Sequence, residues 1–467
     1  MSGARKLLGA YYTPVDLVAA VVDAAVTAEF VRRRHDRVVR VLDPACGDGR
    51  FLQAAGERVR ALGGRAELHG VDLDEGAVVT AQSCVGDASI EQGDSLTREW
   101  GTDRFDLVIG NPPFLSQLAE RTTRGGSSRR GGGPYADAAV EFLALAAELV
   151  DHDGGRVAFV LPQSLLASRD AAAVRDRIDS MAVIEWSWWS PERVFEAQVH
   201  VCALVLAFGR AATTASAWSD VITSRLGVPS LPEFPAADGT LGDRATLNAN
   251  FRDEYYGLVP AVGDHDDGPP LITSGLIDPG RIRWGAEPIT FARRRFERPR
   301  VDVDRLDAKM AEWARRRLVP KVLVANQTRI IEAVCDPTGA WLPGVPVIAV
   351  YPEGTHWDDA RSAAPGAAGD AAWEIAAVLT SGFASAWLWH RNAGTGLSAA
   401  SVRVSPTVLA QLPWPAADVG AAVGALRDGD VRACAGLVDA AYGAADHMRD
   451  ITTWWTASLD RIETRHR

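Results

Sequence analysis

The chain has 467 residues, 47% hydrophobic and 23% charged, with 43 glycines and 25 prolines. This is a globular composition too long for one ordinary core, so two domains, or one large domain with an appendage, are expected and wholesale disorder is excluded. Its net charge of −11 counts against nucleic-acid binding only as an average. The five cysteines are scattered without CxxC spacing, which predicts reduced thiols and no metal site.

No leader-like or bilayer-length apolar stretch is evident, and a cytoplasmic location is expected. The first part of the chain alternates strand and helix patterns in the manner of a parallel α/β sheet. Val38 to Leu42 reads as a buried strand ending at Asp43, and Asp43-Pro44-Ala45-Cys46-Gly47-Asp48-Gly49 follows as a turn opening a helix near Phe51. The missing side chains at Gly47 and Gly49 let a ligand approach the backbone, although a tight strand-to-helix turn without a ligand has the same pattern. Glu67 to Val71 reads as the next strand and delivers Asp72, Leu73 and Asp74 at its carboxyl end. A carboxylate there can accept both ribose hydroxyls of a nucleoside. A third strand region brings Gly93-Asp94-Ser95, whose carboxylate can accept from an adenine amino group. Together these describe an adenosyl pocket. The spacing is not the GxGxxG that grips a pyrophosphate, so a nicotinamide dinucleotide is the weaker candidate.

Phe105 to Ile109 reads as a strand running into Gly110-Asn111-Pro112-Pro113-Phe114. An aromatic amine such as adenine N6 is a poor nucleophile because its lone pair is delocalised into the ring. The side-chain oxygen of Asn111 and the carbonyl of Pro112, held by two prolines, can accept its two N–H groups and favour a pyramidal nitrogen, while Phe114 stacks on the base. Positioning then supplies most of the rate, without a strong base. A Pro-Pro turn that merely ends a strand is the bland alternative. Next comes a Gly and Ser-rich loop carrying Arg121, Arg124, Arg129 and Arg130, expected to close over DNA, or else to be an ordinary solvated loop.

Arg156 to Leu161, Val183 to Trp188 and His200 to Phe208 read as three more strands, and Pro229, Pro232 and Pro235 punctuate a polar connection. Between Arg281 and Arg329 there are 14 Lys and Arg against 6 Asp and Glu, including Arg293-Arg294-Arg295 and Arg315-Arg316-Arg317. Such runs suit phosphate contact, but solvated helix faces look the same. Short β-like runs (Lys321 to Ala325, Val345 to Val350) and an Ala-rich helical stretch, Trp373 to Trp389, predict an α+β region; from about Val419 the chain reads as helical, with Trp454-Trp455 as a packing anchor.

These motifs, in this order, resemble the N6-adenine DNA methyltransferases of the restriction-modification type. The matching residues are Tyr11-Tyr12-Thr13-Pro14, the run Asp43 to Leu52, Asp72, Asp94, Asn111 to Phe114, Val157 to Pro162, and Val194-Phe195 before the strand Val199 to Phe208. Gly275 to Pro279, Trp284-Gly285, Arg298-Pro299, Lys321 to Val324 and Leu412 to Pro415 match more loosely. The resemblance implies a Rossmann-like, doubly wound α/β domain over 1–215 with a mostly parallel seven-stranded sheet. A linker over 216–245 and an α+β target-recognition domain over 246–467 would follow. It implies S-adenosyl-L-methionine as cofactor and N6 methylation of an adenine flipped out of double-stranded DNA.

By the same resemblance Tyr12, Thr13 and Pro14 fold over the methionine end of the cofactor. Asp43, Pro44, Ala45, Gly47, Gly49 and Asn111 line it, Asp72 and Leu73 hold the ribose side, and Asp94 and Ser95 meet its adenine. Phe195 stacks on the target base, unless it is core beside Trp186, Trp188 and Trp189. Many relatives carry Tyr where Phe114 stands, and stacking needs only the aromatic face. Arg293, Arg294 and Arg295 join the basic loop as DNA contacts. Methylation of RNA or of a protein glutamine stays open as an alternative, as does a non-catalytic DNA-binding subunit of a defence complex. A restriction endonuclease would be a separate polypeptide.

Overall fold

Val39, Val41 and Leu42 are fully buried in the first strand, β1 (Val38–Asp43), because a strand at the centre of a parallel sheet is covered on both faces. The computed structural model describes residues 13–114, 130–133, 137–192, 194–195, 199–209, 218–231, 238–249, 252–355, 365–443 and 445–465. It divides into two units, Met1–Ile222 with Ala393–Ala399, and Thr223–Asn392 with Ala400–Arg467.

In the first unit β1 is joined by β2 (Arg65–Asp72), β3 (Ser89–Gln92), β4 (Leu107–Gly110), β5 (Arg156–Pro162), β6 (Ala182–Trp189) and β7 (Val201–Phe208). They form one seven-stranded sheet in the order β3-β2-β1-β4-β5-β7-β6. β1 to β5 pair in parallel and β7 runs antiparallel to β5 and β6, the doubly wound arrangement expected. The order reverses between β1 and β4, and at such a switch point a crevice opens beyond the carboxyl ends of the strands.

The helices are α1 (Val15–Ala25), α2 (Ala28–Arg32), α3 (Arg50–Ala61), α4 (Glu75–Cys84), α5 (Ala138–Leu149) and α6 (Ala172–Asp179). Side-chain caps start several of them: Asp74 accepts from the Ala77 N–H ahead of α4, and Asp137 from the Ala139 N–H ahead of α5. Gly49 enters α3 with φ +81, and a Cβ there would lie 2.7 Å from Val85 Cγ2. That glycine is required both by its left-handed backbone and by the packing of α3 on α4. Phe105, expected to open the fourth strand, precedes it and forms only an isolated bridge with Val150.

The second unit contains β8 (Ala245–Ala249), β9 (Ile289–Phe291), β10 (Arg294–Phe296), β11 (Lys321–Val324), β12 (Ala333–Asp336) and β13 (Ile348–Pro352). β12-β11-β13-β8 make an antiparallel sheet and β9-β10 a hairpin. A buried ion pair ties β11 to β12, with Lys321 Nζ 2.6 Å from Asp336 Oδ2; Asp336 also accepts from the N–H groups of Ala340 and Trp341. Its longer helices are α7 (Ala308–Arg317), α8 (Pro365–Leu379), α9 (Gly382–Asn392), α10 (Gly420–Arg427), α11 (Val431–Ala441) and α12 (Ala445–Arg465). The Ala-rich stretch expected as one helix is thus two, bent by 66°. Asp439, 1% exposed, accepts from the Phe383 N–H at 2.9 Å and so caps α9. Trp455 is fully buried with Ile330, Ala435, Leu459 and Ile462, as an anchor should be. Among the described residues no single helix is long and apolar enough to cross a membrane.

Candidate active site

β1 delivers Asp43, 2% exposed, to the crevice, where Oδ1 accepts from the Ala45 N–H at 3.0 Å. The glycine turn that follows is laced to the two neighbouring strand ends. Ser95 Oγ donates to the Pro44 carbonyl at 2.6 Å, and the Gly47 N–H donates to Asp72 Oδ2 at 2.8 Å. Asp72 also accepts from the Asp74 N–H at 2.9 Å. Ser95, expected beside a cofactor, therefore spends its hydroxyl on shaping the turn, and Asp72 braces the turn as well as facing the crevice. Gly47 sits at φ +53, and a Cβ there would meet nothing within 4 Å. The glycine leaves open space in front of the turn, where the backbone can face a ligand.

Electrostatics favour a cationic ligand in that space. Burial pushes the Asp43 carboxyl well above the usual range, and the charges of Asp72 and Asp48 push it further, against the lowering hydrogen bond from Ala45. Burial, then Asp43 and Asp72, also raise the Cys46 thiol, which makes it inert as a nucleophile. Leu73, an apolar side chain left 51% exposed, follows Asp72. Asp94 is exposed, its Oδ1 accepting from the Leu96 N–H at 3.0 Å. A sulfonium-bearing nucleoside fits this donor set: a carboxylate for ribose, an apolar face for the base, a second carboxylate for an amino group, and a negative potential for the cation.

β4 ends at Gly110, and a Cβ there would lie 2.5 Å from Asp43 Oδ1. Only glycine lets the ends of β1 and β4 approach so closely, and this brings Asn111 beside the carboxylate cluster. Asn111 Nδ2 donates to Thr13 Oγ1 at 3.0 Å. Thr13, 2% exposed, is held in turn by Arg50, whose Nη1 donates to its carbonyl and whose Nη2 lies 2.6 Å from Asp48 Oδ2. This chain of contacts turns Nδ2 toward Thr13 and therefore points the acceptor Oδ1 the other way. Pro14, between Thr13 and α1, accepts from the Leu17 and Val18 N–H groups. Pro112 is buried and Pro113 half-buried. Phe114 and Phe195, 6% and 8% exposed, pack together with ring centroids 6.3 Å apart and planes tilted by 59°. Trp186, Trp188 and Trp189 are half-buried on the edge strand β6.

Sequence reasoning missed three contributors. Arg50 has no motif of its own. Gln163, 2% exposed, follows β5; its N–H donates to the His200 carbonyl and its Nε2 to the Val201 carbonyl, which ties the end of β5 to the start of β7. The third is Ala393–Ala399, which belongs to this unit although its chain neighbours belong to the other. A Cβ on Gly394 would collide with the Gln163 carbonyl oxygen.

Arg130, expected among the DNA contacts, is engaged within the first unit. Its side chain is 15% exposed, with Nε 3.0 Å from Glu148 Oε2, and Nη1 donates to the Leu96 carbonyl, so its charge is matched inside the unit. Tyr12, Arg121, Arg124 and Arg129 lie outside the described residues. Arg293, Arg294 and Arg295 are exposed on the β9–β10 hairpin. The Arg295 contact to Glu297, at 3.4 Å with side chains 72% and 67% exposed, competes weakly with any other anion.

Residues 2–222 match the family model described as N-6 DNA Methylase. Among solved structures the chain is similar to a protein of Listeria monocytogenes assigned to the class I S-adenosylmethionine-dependent methyltransferases, at 22% identity over 43% of this chain and 62% of that one, TM-score 0.36. It is similar to a type I restriction-modification methyltransferase subunit of Streptococcus thermophilus, at 19% identity over 43% and 45%, TM-score 0.35. The type IIG restriction endonuclease BpuSI aligns at 12% identity over 97% of this chain and 66% of its own, TM-score 0.40. The chain thus spans less than two thirds of the first of these proteins and under half of the second.

Proposed function

We propose that this chain, which carries an N-6 DNA methylase domain over residues 2–222 on a doubly wound, Rossmann-like sheet, is an adenine-specific DNA methyltransferase. Its substrate is N6 of an adenine turned out of duplex DNA and its methyl donor is S-adenosyl-L-methionine. The observation that carries this reading is Asn111. Its amide is fixed by Thr13 on a Pro-Pro turn, next to a carboxylate cluster that suits a sulfonium cofactor.

When bound, the cofactor supplies an electrophilic methyl group. The protein supplies positioning. Asn111 Oδ1 and the Pro112 carbonyl accept the two N–H groups of the target amine, drawing its lone pair out of conjugation and aiming it. Phe114 and Phe195 offer the extruded ring an aromatic surface, which offsets part of the stacking lost in the duplex. Asp48 and Asp72 make the crevice negative, Asp43 joins them when the cation binds, and Asp72, Leu73 and Asp94 serve the nucleoside part of the cofactor. The second unit reads the target site, with Arg293, Arg294 and Arg295 on phosphate. A separate restriction endonuclease or defence subunit is the partner class that this reading implies.

Long-read sequencing of DNA from cells expressing the chain, scored for N6-methyladenine, tests the activity. Asn111→Ala lowers methyl transfer by on the order of a thousandfold, as when a preorganised polar group is deleted at a reacting centre, with cofactor affinity by calorimetry largely kept. A variant that still methylates adenine at the wild-type rate refutes the assignment.

A further inference from the structure

Arg50 opens α3 and reaches two distant parts of the first unit. Its Nε lies 3.0 and 3.1 Å from the two carboxylate oxygens of Asp48 and its Nη2 2.6 Å from Oδ2, a fork that fixes the guanidinium plane against the glycine turn. The third nitrogen, Nη1, donates to the Thr13 carbonyl. That bond falls where α1 lacks a tie of its own, because Pro14 stands at the N-cap position and no side chain caps the helix. The far end of α1 is held by the same neighbour: Arg58, about two turns along α3, donates through Nε to the Val26 carbonyl at 3.3 Å and lies 3.3 Å from Asp23 Oδ1. Two arginines of one helix thus grip both ends of another. Only the grip at Arg50 continues toward the site, since Thr13 Oγ1 accepts from Asn111 Nδ2 at 3.0 Å.

We propose that Arg50 is a positioning residue for methyl transfer: it locks Thr13 to the Asp48 turn and, through Thr13, sets where the Asn111 amide stands relative to the turn that lines the cofactor crevice. Methyl donor and target amine are then aligned by one rigid relay, Asp48 to Arg50 to Thr13 to Asn111, whose members come from three separate segments of the chain. With the relay cut, the turn and the Asn111 strand end both persist, but the amide loses its fixed aim. A misplacement of about 1 Å at a reacting centre costs on the order of a hundredfold in rate. The inference rests on the proposed DNA-methylating function, since the amine that Asn111 has to face is the target adenine's.

The test uses the full chain, first without any ligand. The side-chain amide NMR signals of Asn111, identified by their absence from the spectrum of Asn111→Ala, move or broaden in Arg50→Met, which removes the donors and keeps an unbranched stem. They stay in place in Arg58→Met, which cuts the other grip on α1. Rates are then measured on a duplex oligonucleotide carrying a site mapped from wild-type methylation, at saturating S-adenosylmethionine. Arg50→Met lowers kcat by about a hundredfold, while KM for DNA and cofactor affinity by calorimetry change by about threefold or less, the signature of a contact that matters in the transition state. Arg58→Met keeps the wild-type kcat. Thr13→Val removes the Oγ1 acceptor, and combining it with Arg50→Met adds little to the larger single loss, because the two residues act in series. Unmoved amide signals, additive losses, or an equal fall in kcat in both arginine variants overturn the relay while leaving the DNA-methylating function intact. A wild type that methylates no DNA overturns that function, and the positioning role with it.

Discussion

Asp43 holds its proton more tightly than an ordinary carboxylic acid, because burial opposes its ionisation and Asp72 and Asp48 add like charge. A cation brought into the crevice reverses the balance. It favours the ionised form, pulls the carboxyl pKa down and expels a proton. Binding of S-adenosylmethionine is therefore expected to release protons and to tighten as pH rises through the raised pKa of Asp43, where the free protein is still protonated and the complex is not. For stability the sign is opposite. The folded state keeps a proton that the unfolded chain gives up near the ordinary carboxylate range, so this group favours folding at low pH and that contribution is lost as pH rises through the raised pKa. Calorimetric titration in two buffers of different ionisation heat measures the proton count directly. In Asp43→Asn the release should vanish together with the pH dependence of affinity, and a wild type that exchanges no protons would show that the cation sits elsewhere.

The β9–β10 hairpin closes through Ala292 and Arg293, at φ 50 and 63, with Phe291 paired to Arg294. This two-residue turn of left-handed residues ordinarily takes Asn-Gly. The Ala292 N–H donates to Tyr255 Oη at 3.0 Å, and the Tyr255 ring packs 4.8 Å from Phe291, so tertiary contact holds a conformation the local sequence disfavours. Arg293→Gly should then stabilise the protein by about 1 kcal/mol, the relief of one left-handed L-residue less the entropy glycine adds to the unfolded chain. A urea midpoint that falls instead would locate Arg293 in contacts that outweigh the strain. Hairpins of three-residue strands carry too few residues to show a period, which is why the second unit read only as α+β. Unit one was legible where pattern and chemistry coincide. β1, β4 and β5 are largely apolar runs, and Asp43, Asp72 and Asn111 were visible because each stands at the carboxyl end of a strand or just beyond it. β3 was legible only as an unbounded region ahead of Gly93, since only Ile90 of its four residues is buried and such an edge strand has no alternation to find. For Arg130 and Ser95, type and spacing do not reveal that neighbours such as Glu148 and the Pro44 carbonyl engage their polar atoms. The return of Ala393–Ala399 to the first unit is a long-range packing event with no local signature.

A net charge of −11 repels a duplex from the molecule as a whole, so the proposed affinity for DNA has to be concentrated where the sign is locally reversed, and it must decay steeply with salt as counterions return to the phosphates. The exposed arginines at 293, 294 and 295 are the densest such place among the described residues of the second unit, and two further cations stand near the hairpin: Arg298 and Arg300 lie over Trp284 at 5.0 and 4.7 Å, which fixes the planes of their guanidinium groups. Replacing Arg293, Arg294 and Arg295 together by Ala should weaken binding to every duplex, specific or not, since phosphate contacts carry no sequence information. The slope of log K against log salt should become shallower by roughly 2 to 3, close to one unit for each phosphate that is no longer neutralised. Fluorescence anisotropy between about 50 and about 200 mM salt covers the range in which that slope is read. S-adenosylmethionine affinity should stay as in the wild type, because the crevice is built from residues of the first unit. If the triple variant binds more weakly yet keeps the wild-type slope, the three arginines act on bases or on folding rather than on phosphate; if neither changes, the hairpin faces away from DNA.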